Sequence, residues 1–134
     1  MQTQLTIKSS NTEIERFHNW FKEQINPLLK KEYRNRALLA AQEIVTNSVF
    51  HGNHENPDKE VAIFISIDSD LFTMKVTDEG VGIQSLPEEL EFLDIDALDE
   101  SGRGLKLIML LCDNVTIDGN SIELTINLKE SSVL

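Results

Sequence analysis

Three short stretches carry residue types that can do chemistry together. In Glu43-Ile44-Val45-Thr46-Asn47 an acid and a carboxamide stand four residues apart, one turn of a helix, and so share a face. Asn47 can offer its oxygen to a hard cation, and Glu43 can orient or deprotonate a nucleophile. Glu and Asn at this spacing also occur on ordinary solvated helix faces, so the pair means little by itself. In Asp78-Glu79-Gly80-Val81-Gly82-Ile83 the two glycines remove side chains where a flat base can approach the backbone. Asp78 can accept a hydrogen bond from an exocyclic amine, which would select adenine over guanine, although Asp and Gly after a strand are also common turn chemistry. In Ser101-Gly102-Arg103-Gly104-Leu105 two glycines open a helix. Free N–H groups and the positive end of the helix dipole make this a phosphate cradle, or else a flexible helix start. It lacks the Gly-Lys-Ser/Thr of a Walker A loop and the third glycine of a dinucleotide fingerprint.

These residues need elements to hold them. Gln2–Lys8 alternates through Leu5 and Ile7, which predicts an edge strand. Ser10 or Asn11 can cap a helix with Ile14, Phe17, Trp20, Phe21 and Ile25 on its core face. A second helix is expected from about Glu32 to Phe50, ending at Gly52, with Leu38, Ala41, Ile44, Val45, Ser48 and Val49 on one side. At 100° per residue, Glu43, Asn47 and His51 fall in one sector opposite that stripe. His51 either lines the pocket mouth or bonds the last carbonyls of the helix. Strands at Glu60–Asp68 and Leu71–Asp78 read as a hairpin turned by Asp68-Ser69-Asp70. The acidic stretch from Pro87 to Glu100 reads as a short helix and a mobile, solvated lid, or as a negative surface for a basic partner. A third helix runs from Gly102 to about Cys112, followed by strands Asn114–Asp118 and Ser121–Lys129 turned at Gly119-Asn120. Helices with antiparallel strand pairs predict an α+β two-layer sandwich, a mixed, mostly antiparallel sheet covered on one face by helices, rather than a doubly wound sheet.

Composition narrows the partners. At 134 residues and 40% hydrophobic content the expectation is one domain over residues 1–134. A net charge of −11 repels nucleic acid and anionic membranes. The longest apolar run, Leu107 to Cys112, is far below the roughly 20 residues of a membrane span. A lone Cys112, read as a buried apolar residue, and the lack of an apolar export segment predict a cytoplasmic location.

Taken jointly, the three stretches agree in order and placement with one known scheme. The chain resembles the ATPase and kinase superfamily of DNA gyrase, Hsp90, histidine kinases and MutL over about residues 10 to 128. Glu43–Asn47 looks like its N-box, Asp78–Gly82 its first glycine box and Gly102–Gly104 its second. Chain size, Asn47-Ser48-Val49-Phe50-His51-Gly52 and the Gly102-Arg103-Gly104-Leu105 start are most similar to bacterial anti-sigma factor serine/threonine kinases.

The resemblance implies the Bergerat ATP-binding fold, ATP as the nucleotide and Mg²⁺ held by Asn47 and the phosphates. It implies Glu43 as catalytic base on a serine hydroxyl. Asp78, Gly80, Gly82 and Ile83 would lie at the base, and Gly102, Arg103, Gly104 and Leu105 at the phosphates. Arg103 would neutralise phosphate or pair with neighbouring acids. Expected partners are a sigma factor, an anti-sigma antagonist as phosphoacceptor, and a second copy in a homodimer. The alternative is a nucleotide-gated, partner-switching module without kinase activity. The last hairpin departs from the family's Gly-Thr by reading Gly119-Asn120-Ser121, leaving that base contact unassigned. A short stretch between the glycine boxes predicts a compact lid, and no phosphoacceptor-histidine helix precedes the domain, which argues against a complete histidine kinase.

Overall fold

The structure, a computed structural model, describes residues 1–80 and 100–128, with side chains from residue 104 in the second segment. Its elements are β1 (Gln2–Lys8), α1 (Asn11–Ile25), α2 (Lys31–Asn47), a π-helical turn (Ser48–Gly52), β2 (Glu60–Ile67), β3 (Leu71–Thr77), α3 (Glu100–Leu111), β4 (Asn114–Asp118) and β5 (Ser121–Asn127). The strands form one sheet in the order β1-β2-β3-β5-β4. The expected α+β fold is present.

Every pairing among the described residues is antiparallel, where a mixed sheet was expected. The reason lies in the connection through α3. It returns the chain as β4 in the direction of β3, but β5 inserts between the two, so like-directed strands never touch.

Alternation in the strands decides which face is covered. Ile7, Val61, Ile63, Ile65, Phe72, Met74, Val76, Ile122, Leu124 and Ile126 are buried, while their neighbours along each strand face outward. Against this face lie Phe17, Phe21 and Ile25 of α1 and Ala37, Ala41, Ile44 and Val45 of α2. Phe21 meets Phe17 at 5.5 Å and the edge of Phe72 at 6.2 Å between ring centroids, joining helix and sheet layers.

Local signals set the helix ends. Ser10 Oγ accepts from the Glu13 N–H at 3.4 Å, capping α1. The Glu13 carboxylate reaches back to the Lys8 N–H, and that bond holds its pKa below the usual value. Arg36 of α2 donates to the Leu111 carbonyl at 2.8 Å and lies 3.5 Å from Asp113. It caps α3 with a positive charge and ties it to α2.

The end of α2 differs from the expectation of a continuous α-helix to Phe50. After Asn47 the chain widens into the π turn, closed by Asn53 N–H to Ser48 O at 2.8 Å. His51, in that turn, is exposed. At the other helix, α3 starts at Glu100, two residues ahead of the expected start at Gly102.

Candidate functional site

Glu43 and Asn47 sit on consecutive turns of α2, both half-buried, facing the first turns of α3. The contact runs through Gly104. A Cβ there would lie 2.9 Å from Asn47 Nδ2 and 3.0 Å from Glu43 Oε2, so any larger residue would push both side chains away. Asn47 Nδ2 is buried and makes no hydrogen bond among the described residues. A buried N–H donor left in that state is costly, which marks the place as prepared for an acceptor oxygen from outside.

The second cluster lies where the π turn meets the end of β3. A Cβ at Gly52 would overlap the Asp78 carboxylate, and one at Gly80 would overlap the Gly52 carbonyl. Only glycine at both places lets the turn close over Asp78. Asp78 Oδ1 accepts from the Gly80 N–H at 2.8 Å, the Asp78 N–H donates to the Asn120 carbonyl at 3.1 Å, and Asn120 Nδ2 donates to the Asp78 carbonyl at 2.5 Å. The hairpin residue that departs from the family pattern therefore holds Asp78 by its main chain. Ser121 turns to the opposite face, where its hydroxyl meets that of Thr77 at 2.6 Å.

The α2 and π-turn segment connects the two clusters. Asn47 and Gly52 are five residues apart, at the two ends of the π turn. Glu43, Asn47 and Gly104 are thus brought to one end of the segment, and Asp78 and Gly80 to the other. Leu105 is buried beside Gly104. Gly102 and Arg103 fall in the first turn of α3, and Gly82, Ile83 and the acidic stretch expected as a lid lie outside the described residues. A cavity of about 390 Å³ bordered by Thr6, Ala62, Thr77 and Glu79 opens on the helix-free side of the sheet, away from the Glu43–Asn47 pair.

Sequence reasoning missed Gly52, Asn53 and Asn120. Gly52 had been read as the end of the second helix, Asn53 had no role, and Asn120 was placed in the last turn with its contact unassigned. Lys106 was also unexpected: it is fully buried within α3, among positions that apolar patterning assigns to the core.

Residues 9–127 match the family described as the histidine kinase-like ATPase domain. The chain belongs to that family. This histidine kinase-like ATPase domain is similar to proteins named anti-sigma F factor. One, from Bacillus velezensis, is 35% identical over 99 residues, covering 69% of this chain and 68% of the relative. Another, from Bacillus subtilis, is 34% identical over the same shares. A third, from Bacillus licheniformis, is 28% identical over 142 aligned positions, covering 100% of this chain and 96% of the relative. No helix among the described residues is long and apolar enough to cross a membrane.

The donor set of this ATPase-family domain suits a hard cation and an anionic ligand. Asn47 and Glu43 supply oxygen donors of the kind Mg²⁺ takes, and Gly104, just past the first turn of α3, leaves room beside them. Cys112 takes no part. Burial pushes its thiol up to about 12, so it stays protonated and unreactive at neutral pH.

Proposed function

We propose that this domain binds ATP and transfers its terminal phosphoryl group to a serine or threonine of a partner protein. The observation that carries the reading is the convergence of Glu43 and Asn47 on Gly104, with a buried Asn47 amide free of hydrogen bonds among the described residues. Asn47 would hold Mg²⁺ together with the phosphates, and the ion would neutralise phosphate charge. The backbone of Gly102, Arg103, Gly104 and Leu105 would hold the phosphate tail, with the helix dipole behind it. Asp78, Gly80, Gly82 and Ile83 would receive the base.

In the transfer, the partner's serine oxygen forms a bond to the terminal phosphorus while its proton passes to Glu43. The bond from that phosphorus to the bridging oxygen breaks, and ADP leaves. Such a reaction is mostly positioning and charge neutralisation, so one carboxylate, one metal ligand and a phosphate cradle suffice.

In this reading the partners follow from the relatives named anti-sigma F factor. The domain would sequester a sigma factor and phosphorylate the antagonist that releases it, acting as a homodimer in the cytoplasm, with the edge strand β1 available for self-association. The test is transfer of label from Mg-ATP to antagonist-like proteins of the source organism, with Glu43→Ala as control. We expect label on a serine or threonine, reduced about 100-fold or more in the variant while ATP binding persists. Binding without any transfer would favour a nucleotide-gated, partner-switching module.

A further inference from the structure

Asn53 follows the π turn and is completely buried, yet its side chain is fully engaged. Nδ2 donates to Ser9 Oγ at 2.9 Å and to the Glu60 carbonyl at 3.0 Å, and Oδ1 accepts from the Glu79 N–H at 2.8 Å. One carboxamide thus joins the end of β1, the start of β2, the π turn and the loop after β3. Ser9 is buried as well, and its hydroxyl passes on to the Lys59 carbonyl at 2.8 Å.

The target of Oδ1 matters most. The Glu79 N–H and the Asp78 carbonyl belong to one peptide unit. Its nitrogen edge is held by Asn53 from inside the protein, and its oxygen edge by Asn120 Nδ2 from the surface. A planar unit gripped at both edges cannot rotate about its flanking bonds. That fixes the backbone dihedrals leading from the Asp78 Cα to the Gly80 N–H, which in turn holds the carboxylate through Oδ1 at 2.8 Å.

We propose that Asn53 is a positioning residue for base selection: by locking the Asp78–Glu79 peptide it holds the Asp78 carboxylate where it accepts from the 6-amino group of adenine. The proposal rests on Asp78 reading the base. Truncation to Ala leaves the Glu79 N–H without its acceptor and frees the peptide to rotate, so the carboxylate is no longer presented in one direction. Asp at the same place keeps an oxygen for the Glu79 N–H and loses the two donations, which lowers stability but leaves the lock.

The experiment measures calorimetric affinities for ATP and for inosine triphosphate, which has a carbonyl in place of the 6-amino group. Wild type, Asp78→Asn, Asn53→Ala and Asn53→Asp are compared below their melting temperatures. Wild type is expected to prefer ATP and Asp78→Asn to lose that preference. Asn53→Ala should lower the ATP-to-inosine-triphosphate ratio about threefold to tenfold, the worth of one hydrogen bond, and Asn53→Asp should retain it. A wild-type ratio in Asn53→Ala, with the ratio lost in Asp78→Asn, would overturn the positioning role and leave the Asp78 reading intact. An unchanged ratio in Asp78→Asn would overturn both, and it would be seen without any Asn53 variant. Should Asn53→Ala not fold, amide exchange in the wild type decides: a protected Glu79 N–H supports the lock, and exchange at the rate of an open loop overturns it.

Discussion

Around Asp78 the N–H groups of Asp78, Glu79 and Gly80 and the Asp78 carbonyl all have protein partners, whereas at Asn47 a buried amide makes no hydrogen bond among the described residues. One end of the site is saturated by the fold itself. The other is held chiefly by the absence of a side chain at Gly104 of α3, which lies across the seam from Glu43 and Asn47 of α2. The contrast assigns different work to each. A saturated turn can discriminate because it does not reorganise, while a place with spare donors and acceptors can gain on binding a charged ligand.

The strongest way to break the contrast is to intrude on the saturated end. Gly52→Ala puts a methyl group into the Asp78 carboxylate, and we expect a stability loss of about 1–3 kcal/mol with ATP affinity reduced about tenfold. Chemical denaturation and calorimetry would report the two losses. A smaller effect is expected at Asn120→Ala, which removes the outer grip on the Asp78 carbonyl but leaves the main-chain bond from the Asp78 N–H. About 1 kcal/mol of nucleotide affinity should go, with the melting temperature nearly unchanged because Asn120 is exposed.

The smallest effects lie outside the site and sharpen the contrast by leaving nucleotide binding alone. Burial lowers the pKa of His18 in α1, with Lys22 adding repulsion. As pH falls through the ordinary imidazole value of 6.5, the unfolded chain takes up the proton first, so stability should decline below 6.5 and level off below the folded pKa. His18→Gln should flatten that part of a melting-temperature profile. Cys112 works in the alkaline range. Its folded pKa of about 12 exceeds the ordinary thiol value of 9.0, so its contribution is complete below 9 and is lost as pH rises from there toward 12. In the native protein at pH 8, iodoacetamide should leave Cys112 unmodified.

Much of the fold was legible because its signals are local. The alternation of β1 to β3, the stripe of Phe17, Phe21 and Ile25, the cap at Ser10 and the turns at Asp68–Asp70 and Gly119–Asn120 each depend on neighbours a few residues away. The π turn was not legible, since an i to i+5 register leaves no separate hydrophobic period. The motif pattern named Glu43, Asn47, Asp78 and Gly104 one by one. It could not reveal that Asn53 is buried, because its three side-chain partners, Ser9, Glu60 and Glu79, come together only in the folded sheet. Asn120 likewise acts on a residue 42 positions away.

The most direct test of the division between the two ends is the magnesium dependence of ATP binding, measured by calorimetry on wild type and Asn47→Ala. Magnesium should tighten ATP binding about tenfold or more in the wild type, and Asn47→Ala should bind ATP with the same affinity whether or not magnesium is present. An equal gain from magnesium in both proteins would contradict the account, because the metal would then be held without Asn47 and the open end of the site would lie elsewhere.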